Sequence, residues 1–452
     1  MKLSSLFLPC AALAGAALLV LPGASQAYNF LGGSLDLTQR DFRVFNNFTD
    51  VEANDNQLVD PQFPGATGAV RSIWAAVSEW GSEPRKDGSG DISQPGGLGS
   101  GGANFDSIFQ GEAPDPGGTN DNVFSEISGQ SAGVLAFTEL PISDGWRIRF
   151  YRAPTVWHDG PGAPPNLGND HKDLQGVATH EYGHALGLDH STVALETVMF
   201  PGSGTNFYQR RTLHSDDIAG IQALYGVKSP SKPHIESYVL NGIQLTIFGD
   251  HFDASSNELW FTHAAGLGDG TPVKLTGVGS TQGGTVINAS LPANAGHGDL
   301  MLRIPGDTGD KLSNSYPFDP LLGDCPGVLS YGSAMVNSLG LTADLVPSGF
   351  PSASLNNFNL DVTFGGVGNA PAILFYGTQQ ASTPFFGGTL YAGGRLQRAA
   401  SSTFGVFGDI YFSVPVTPTM IGQTRYYQLW YKDVAAPMGV GLSGALQVTF
   451  CP

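Results

Sequence analysis

The sequence predicts an α+β domain, a twisted sheet with long helices, followed by two all-β domains of sandwich type. Helical and strand-like patterns mix in the first half. From about residue 230 short apolar runs alternate with Gly, Asn, Asp and Ser turns, and no amphipathic helix is evident. The chain of 452 residues exceeds one ordinary core, and 41% hydrophobic against 13% charged residues is enough to build several.

The first element is a leader. Lys2 precedes an apolar run from Leu6 to Leu21, and Ser25-Gln26-Ala27 fits a small-x-small cleavage site. Residues 1–27 are therefore expected to be a signal peptide, giving a secreted or cell-surface protein. The run is short for a membrane span, and no later segment is long and apolar enough to be one. Leu35–Phe48 alternates in part and reads as a strand. In 65–80, Val70, Ile73, Trp74, Val77 and Trp80 share one helical face, with Gly81 placed to end the helix. Residues 87–120, rich in Gly, Pro, Asp and Ser, read as a long loop. Gly133–Leu140 and Trp146–Arg152 read as strands. After a loop over 161–169, Asp173 is a good N-cap for a helix starting at Leu174.

That helix carries the chemistry. In His180-Glu181-Tyr182-Gly183-His184-Ala185-Leu186-Gly187-Leu188-Asp189-His190, His180 and His184 lie four residues apart, so both can face one metal. Glu181 projects toward the same cleft, where it can take a proton from water. Gly187 can adopt a positive φ and turn the chain so that His190 becomes a third ligand. Three protein ligands leave one position open, the pattern of a catalytic zinc rather than a structural one.

The segment resembles the zinc signature of the metzincin peptidases. Val198-Met199-Phe200-Pro201 is similar to the methionine turn of their matrixin branch, and Ser215–Gly226 resembles that branch's last helix. The resemblance covers about 28–228 and is sharp from Asp173 to Gly226. It implies a metzincin-like catalytic domain over 28–228 and a zinc endopeptidase acting on protein or peptide substrates. It also implies that Met199 packs beneath the histidines, that Asp216 and Asp217 brace the methionine turn or the mature N-terminus, and that Gly133–Leu140 is an edge strand for substrate. Animal matrix metalloproteinases keep latency with a propeptide cysteine. Here no cysteine lies between residues 28 and 324, so that switch cannot operate locally. His158 and His171 read as loop histidines rather than ligands of a second zinc. Asp159-Gly160-Pro161-Gly162 with Asp170 and Asp173 could bind calcium.

Pro230–Pro233 reads as a linker. Residues 233–319 resemble an IPT/TIG immunoglobulin-like module, through Pro233-His234-Ile235, Leu245–Phe252 and Ser313-Asn314-Ser315. Residues 325–452 read as a further β domain, with Tyr426–Tyr431 as a strand and Cys325 and Cys451 as its expected disulfide. A net charge of −18 disfavours nucleic acid and anionic membranes as partners, and a monomer is expected. Two other functions fit the same residues: a zinc hydrolase of a non-peptide substrate, and a non-enzymatic adhesin on a peptidase fold. The intact Glu181 argues against the adhesin.

Overall fold

The computed structural model describes residues 28–85, 98–118, 121–130, 133–140, 145–165, 170–202, 207–264, 270–321, 328–353, 356–362 and 365–451. The expected signal peptide and Cys325 lie outside the described residues. Cys451 is disulfide-bonded.

Five strands form the first sheet: β1 (Asp41–Phe45), β2 (Ile108–Glu112), β3 (Val123–Gln130), β4 (Ala136–Glu139) and β5 (Arg147–Ala153), in the order β2-β1-β3-β5-β4. All pairings are parallel except that of β4, which runs antiparallel to β5. Phe42 and Val44 of β1 and Ile148 and Phe150 of β5 alternate onto one face. There they meet α1 (Gly68–Glu79) and α2 (Leu174–Ala185) in one core with Trp74, Phe124, Trp146 and Tyr182. α3 (Ser215–Tyr225) closes this part of the chain.

Several expectations change. The helices have 12, 12 and 11 residues, three turns each rather than long. The strand expected over 35–48 narrows to β1. The stretch read as a loop over 87–120 contains β2, a parallel partner of β1. Strand β3 had no counterpart in the sequence reading. Helix α1 is buried on every side, not along one stripe. Its polar residues make this feasible: Arg71 pairs with Asp60 at 2.9 Å, and Glu79 accepts from Leu213 N at 3.1 Å.

After residue 233, two antiparallel four-stranded sheets share one core. One runs His234–Asn241, Gln244–Asp250, Val286–Ser290 and Ser280–Thr281. The other runs Val273–Val278, Asn257–His263, Ala295–Arg303 and Tyr316–Phe318. Beyond residue 327, a five-stranded and a three-stranded antiparallel sheet share another core, in which Tyr427, Leu429 and Tyr431 of strand Thr424–Lys432 are fully buried.

The two edges of the first sheet have different fates. Edge strand β2 is covered by the middle unit. Leu37 and Ile108 pack with Trp260, Met301 and Leu312, and Thr262 Oγ1 donates to Phe109 O at 2.5 Å. Arg85 pairs with Asp299 at 2.7 Å with both side chains buried, and Asp299 also accepts from Phe109 N at 2.8 Å. Lys232 pairs with Asp106 at 3.0 Å, again buried. The opposite edge, β4, ends the sheet and faces α2. A sheet edge offers unpaired N–H and C=O groups.

Candidate metal centre

Asp173 caps α2 through Gly176 N at 2.7 Å, as its position before Leu174 implies. The same carboxylate takes Arg211 at 2.7–3.1 Å, a buried bidentate pair that ties the helix start to the segment after residue 207. The helix ends at Ala185, and Gly187 has φ +104°, the conformation expected of it. The chain then turns back. Leu188 and Asp189 pair with Phe30 and Asn29, and Asn29 Nδ2 donates to His190 O at 2.8 Å. The beginning of the described chain thereby pins the loop that carries His190.

The metal-capable nitrogens of His180, His184 and His190 lie within 4.8 Å of one another. Among the described residues they form the only such cluster of three or more ligands. Asp173, one of the carboxylates offered for calcium, is engaged by Arg211 and the helix N-terminus. His180 Nδ1 lies 2.6 Å from Val198 O and His184 Nδ1 lies 2.8 Å from Leu188 O. A carbonyl only accepts, so each Nδ1 carries the proton and each Nε2 keeps its lone pair for a metal. Three imidazoles with a fourth side open to a cleft fit a zinc ion. Burial holds His180 well below the usual imidazole range and also lowers His184. Protons compete with metal for these nitrogens, so a lowered pKa moves that competition to lower pH. Zinc loss on acidification is expected below pH 6.5, the ordinary histidine value. Metal content after dialysis across a pH series measures this, and release already at neutral pH would contradict it.

Glu181 is buried, and burial pushes its carboxyl up to about 7 against a hydrogen bond from Thr138. The three histidines and Glu181 line a cavity of about 490 Å³, together with Ala136 to Thr138 of β4 and with Phe207 and Arg210. His158 and His171 do not join them. They sit on short paired strands, β6 (Val156–His158) and β7 (His171–Asp173), not in loops, and His171 contacts Glu52 at 3.0 Å.

Met199 is buried in the core that α2 shares. Asp217 receives Val198 N at 2.9 Å and Met199 N at 3.1 Å, while Asp216 receives Ser191 Oγ at 2.6 Å. Asp217 thus holds the turn, and Asp216 holds the residue that follows His190. The sequence reading missed Gly183. A Cβ there would lie 2.3 Å from Met199 Sδ and 2.9 Å from Trp80 Cζ2. Its signal was a glycine inside a helix, directly before the second histidine, where alanine is the better helix former. Gly183→Ala is expected to cost about 1–3 kcal/mol by overpacking and to weaken zinc binding. Thermal unfolding and zinc titration measure both effects, and an unchanged midpoint would remove Gly183 from the account. Thr138 was also missed as a site-supporting residue, as was the pairing of Arg211 with Asp173.

The family model described as matrixin matches residues 53–226. Matrix metalloproteinase-19 of Mus musculus is 37% identical over a match covering 22% of this chain and 23% of that protein. Matrilysin of Mus musculus is 44% identical, covering 16% and 25%. Hatching enzyme of Paracentrotus lividus is 40% identical, covering 22% and 15%. The chain thus spans about a quarter or less of the length of these curated relatives. Among the described residues, no helix is long and apolar enough to cross a membrane.

Proposed function

We propose, from the matrixin match over residues 53–226 and the site within it, that the chain is a secreted zinc-dependent endopeptidase. The observation that carries the reading is the juxtaposition of three imidazoles and Glu181 in one cleft beside β4. His180, His184 and His190 would hold the zinc. When bound, zinc supplies Lewis-acid polarisation of the scissile carbonyl and makes water more acidic. Glu181 takes the proton from that water and delivers it to the leaving amine nitrogen. Met199 is the packing floor, Asp216 and Asp217 brace the turn around it, and Gly187 aims His190. An extended substrate pairs with the open edge of β4, as strand-adding peptides do at bare sheet edges.

The same proposal assigns 28–228 to the catalytic domain, 233–319 to an IPT/TIG-like sandwich and 325–452 to a C-terminal β domain closed by Cys325 and Cys451. It takes residues 1–27 as a cleaved signal peptide and the protein as a monomer. The test is metal dependence. The full chain should bind one zinc and hydrolyse an unfolded protein. Chelation should stop hydrolysis and added zinc restore it, and His184→Ala should lose both zinc and activity. Activity indifferent to chelation would reject the reading.

A further inference from the structure

We infer that Thr138 is a positioning residue whose hydroxyl holds the carboxylate of Glu181 in its working orientation. The inference rests on reading Glu181 as the base. Thr138 pairs with Ile148 across the β4–β5 ladder, and Ile148 is a core residue, so Thr138 faces α2 rather than the outer side of the sheet. Phe137 and Glu139 take the outer side, where Phe137 meets Tyr151 and Glu139 pairs with Arg147 at 2.5 Å.

Thr138 Oγ1 lies 3.0 Å from Glu181 Oε2 and 2.7 Å from Glu181 O. Among the described residues, no other protein group is hydrogen-bonded to that carboxylate. The hydroxyl has one proton and two acceptors in reach. It donates to Oε2 while Glu181 is a carboxylate. While Glu181 holds the proton taken from water on Oε1, Oε2 is a carbonyl oxygen and still accepts from the hydroxyl. Its own proton never leaves. Either way Oε2 is tethered to a rigid strand and Oε1 is left for the cleft, the arrangement a positioned base needs. The strand that would receive substrate therefore also sets the base.

The test compares Thr138→Val and Thr138→Ser in the full chain. Valine keeps the β-branched shape suited to a strand but removes the hydroxyl, and serine restores the hydroxyl. Crystal structures of the variants read the Glu181 side chain without needing activity. A single orientation is expected in the parent and in Thr138→Ser, with rotated or multiple orientations in Thr138→Val. In kinetics, Thr138→Val should lower kcat about 10-fold or more at unchanged KM and zinc content, and Thr138→Ser should recover most of the loss. Glu181 unmoved in Thr138→Val, a kcat equal to the parent's, or a Thr138→Ser variant as impaired as Thr138→Val would each overturn the assignment. If the full chain cleaves no peptide, the peptidase reading fails, and the orientation of Glu181 in the variants still decides the role of Thr138.

Discussion

Glu181→Gln is expected to lower kcat by about 10²–10⁴-fold, the usual contribution of a positioned general base, while one zinc per chain remains bound. Glutamine keeps the shape and can still accept the Thr138 hydroxyl, so the histidines have no reason to move. Stability should change in the opposite direction. The buried carboxyl titrates near 7 in the fold against an ordinary 4.5, so the folded state holds the proton more tightly. Ionising the group therefore costs the folded state stability as pH rises from 4.5 through 7. In metal-free protein, Glu181→Gln should gain stability over the parent progressively across that interval and keep the gain above it. Denaturant unfolding at several pH values, beside zinc analysis and kcat, checks all three points. A variant that loses zinc along with activity would place Glu181 in the metal's support rather than in the chemistry.

The second large effect is expected far from the cleft. Asp299→Ala should destabilise the chain by about 3–5 kcal/mol, because it leaves the Arg85 guanidinium buried without a counter-charge. Phe109 N loses an acceptor in the same step. Arg85 also stacks over Trp74 of α1 at 4.7 Å, and α1 packs on α2. The disturbance therefore reaches the helix that carries His180 and His184. The expected observations are a lower denaturation midpoint and weaker zinc binding. An unchanged midpoint would mean that the contact between the first sheet and the middle unit contributes little to stability.

How much was legible in the sequence follows how local each feature is. The His180–His190 spacing, the Asp173 cap and the Gly187 turn depend on helical periodicity and one glycine's φ, and each could be read within a few residues. The aspartates at 216 and 217 were legible as a pair, and their partners at Val198, Met199 and Ser191 emerge only in the fold. Strand β2 was lost among Gly, Pro, Asp and Ser, and part of its burial, that of Ile108, comes from Trp260 and Met301 of another unit. Thr138 and Glu181 are 43 residues apart, and Arg85 and Asp299 are 214 apart, so no window of sequence could join them. Thr138 left a faint trace: a hydroxyl on the core-facing side of a strand must find a partner.

The most direct test is mass-spectrometric analysis of a mixed peptide library exposed to the full chain, with and without a zinc chelator, beside Glu181→Gln. The account predicts internal cuts by the parent, none with chelator, recovery on adding zinc, and almost none by the variant. A parent that binds one zinc yet leaves every peptide intact, or a Glu181→Gln variant that cuts as well as the parent, would contradict it.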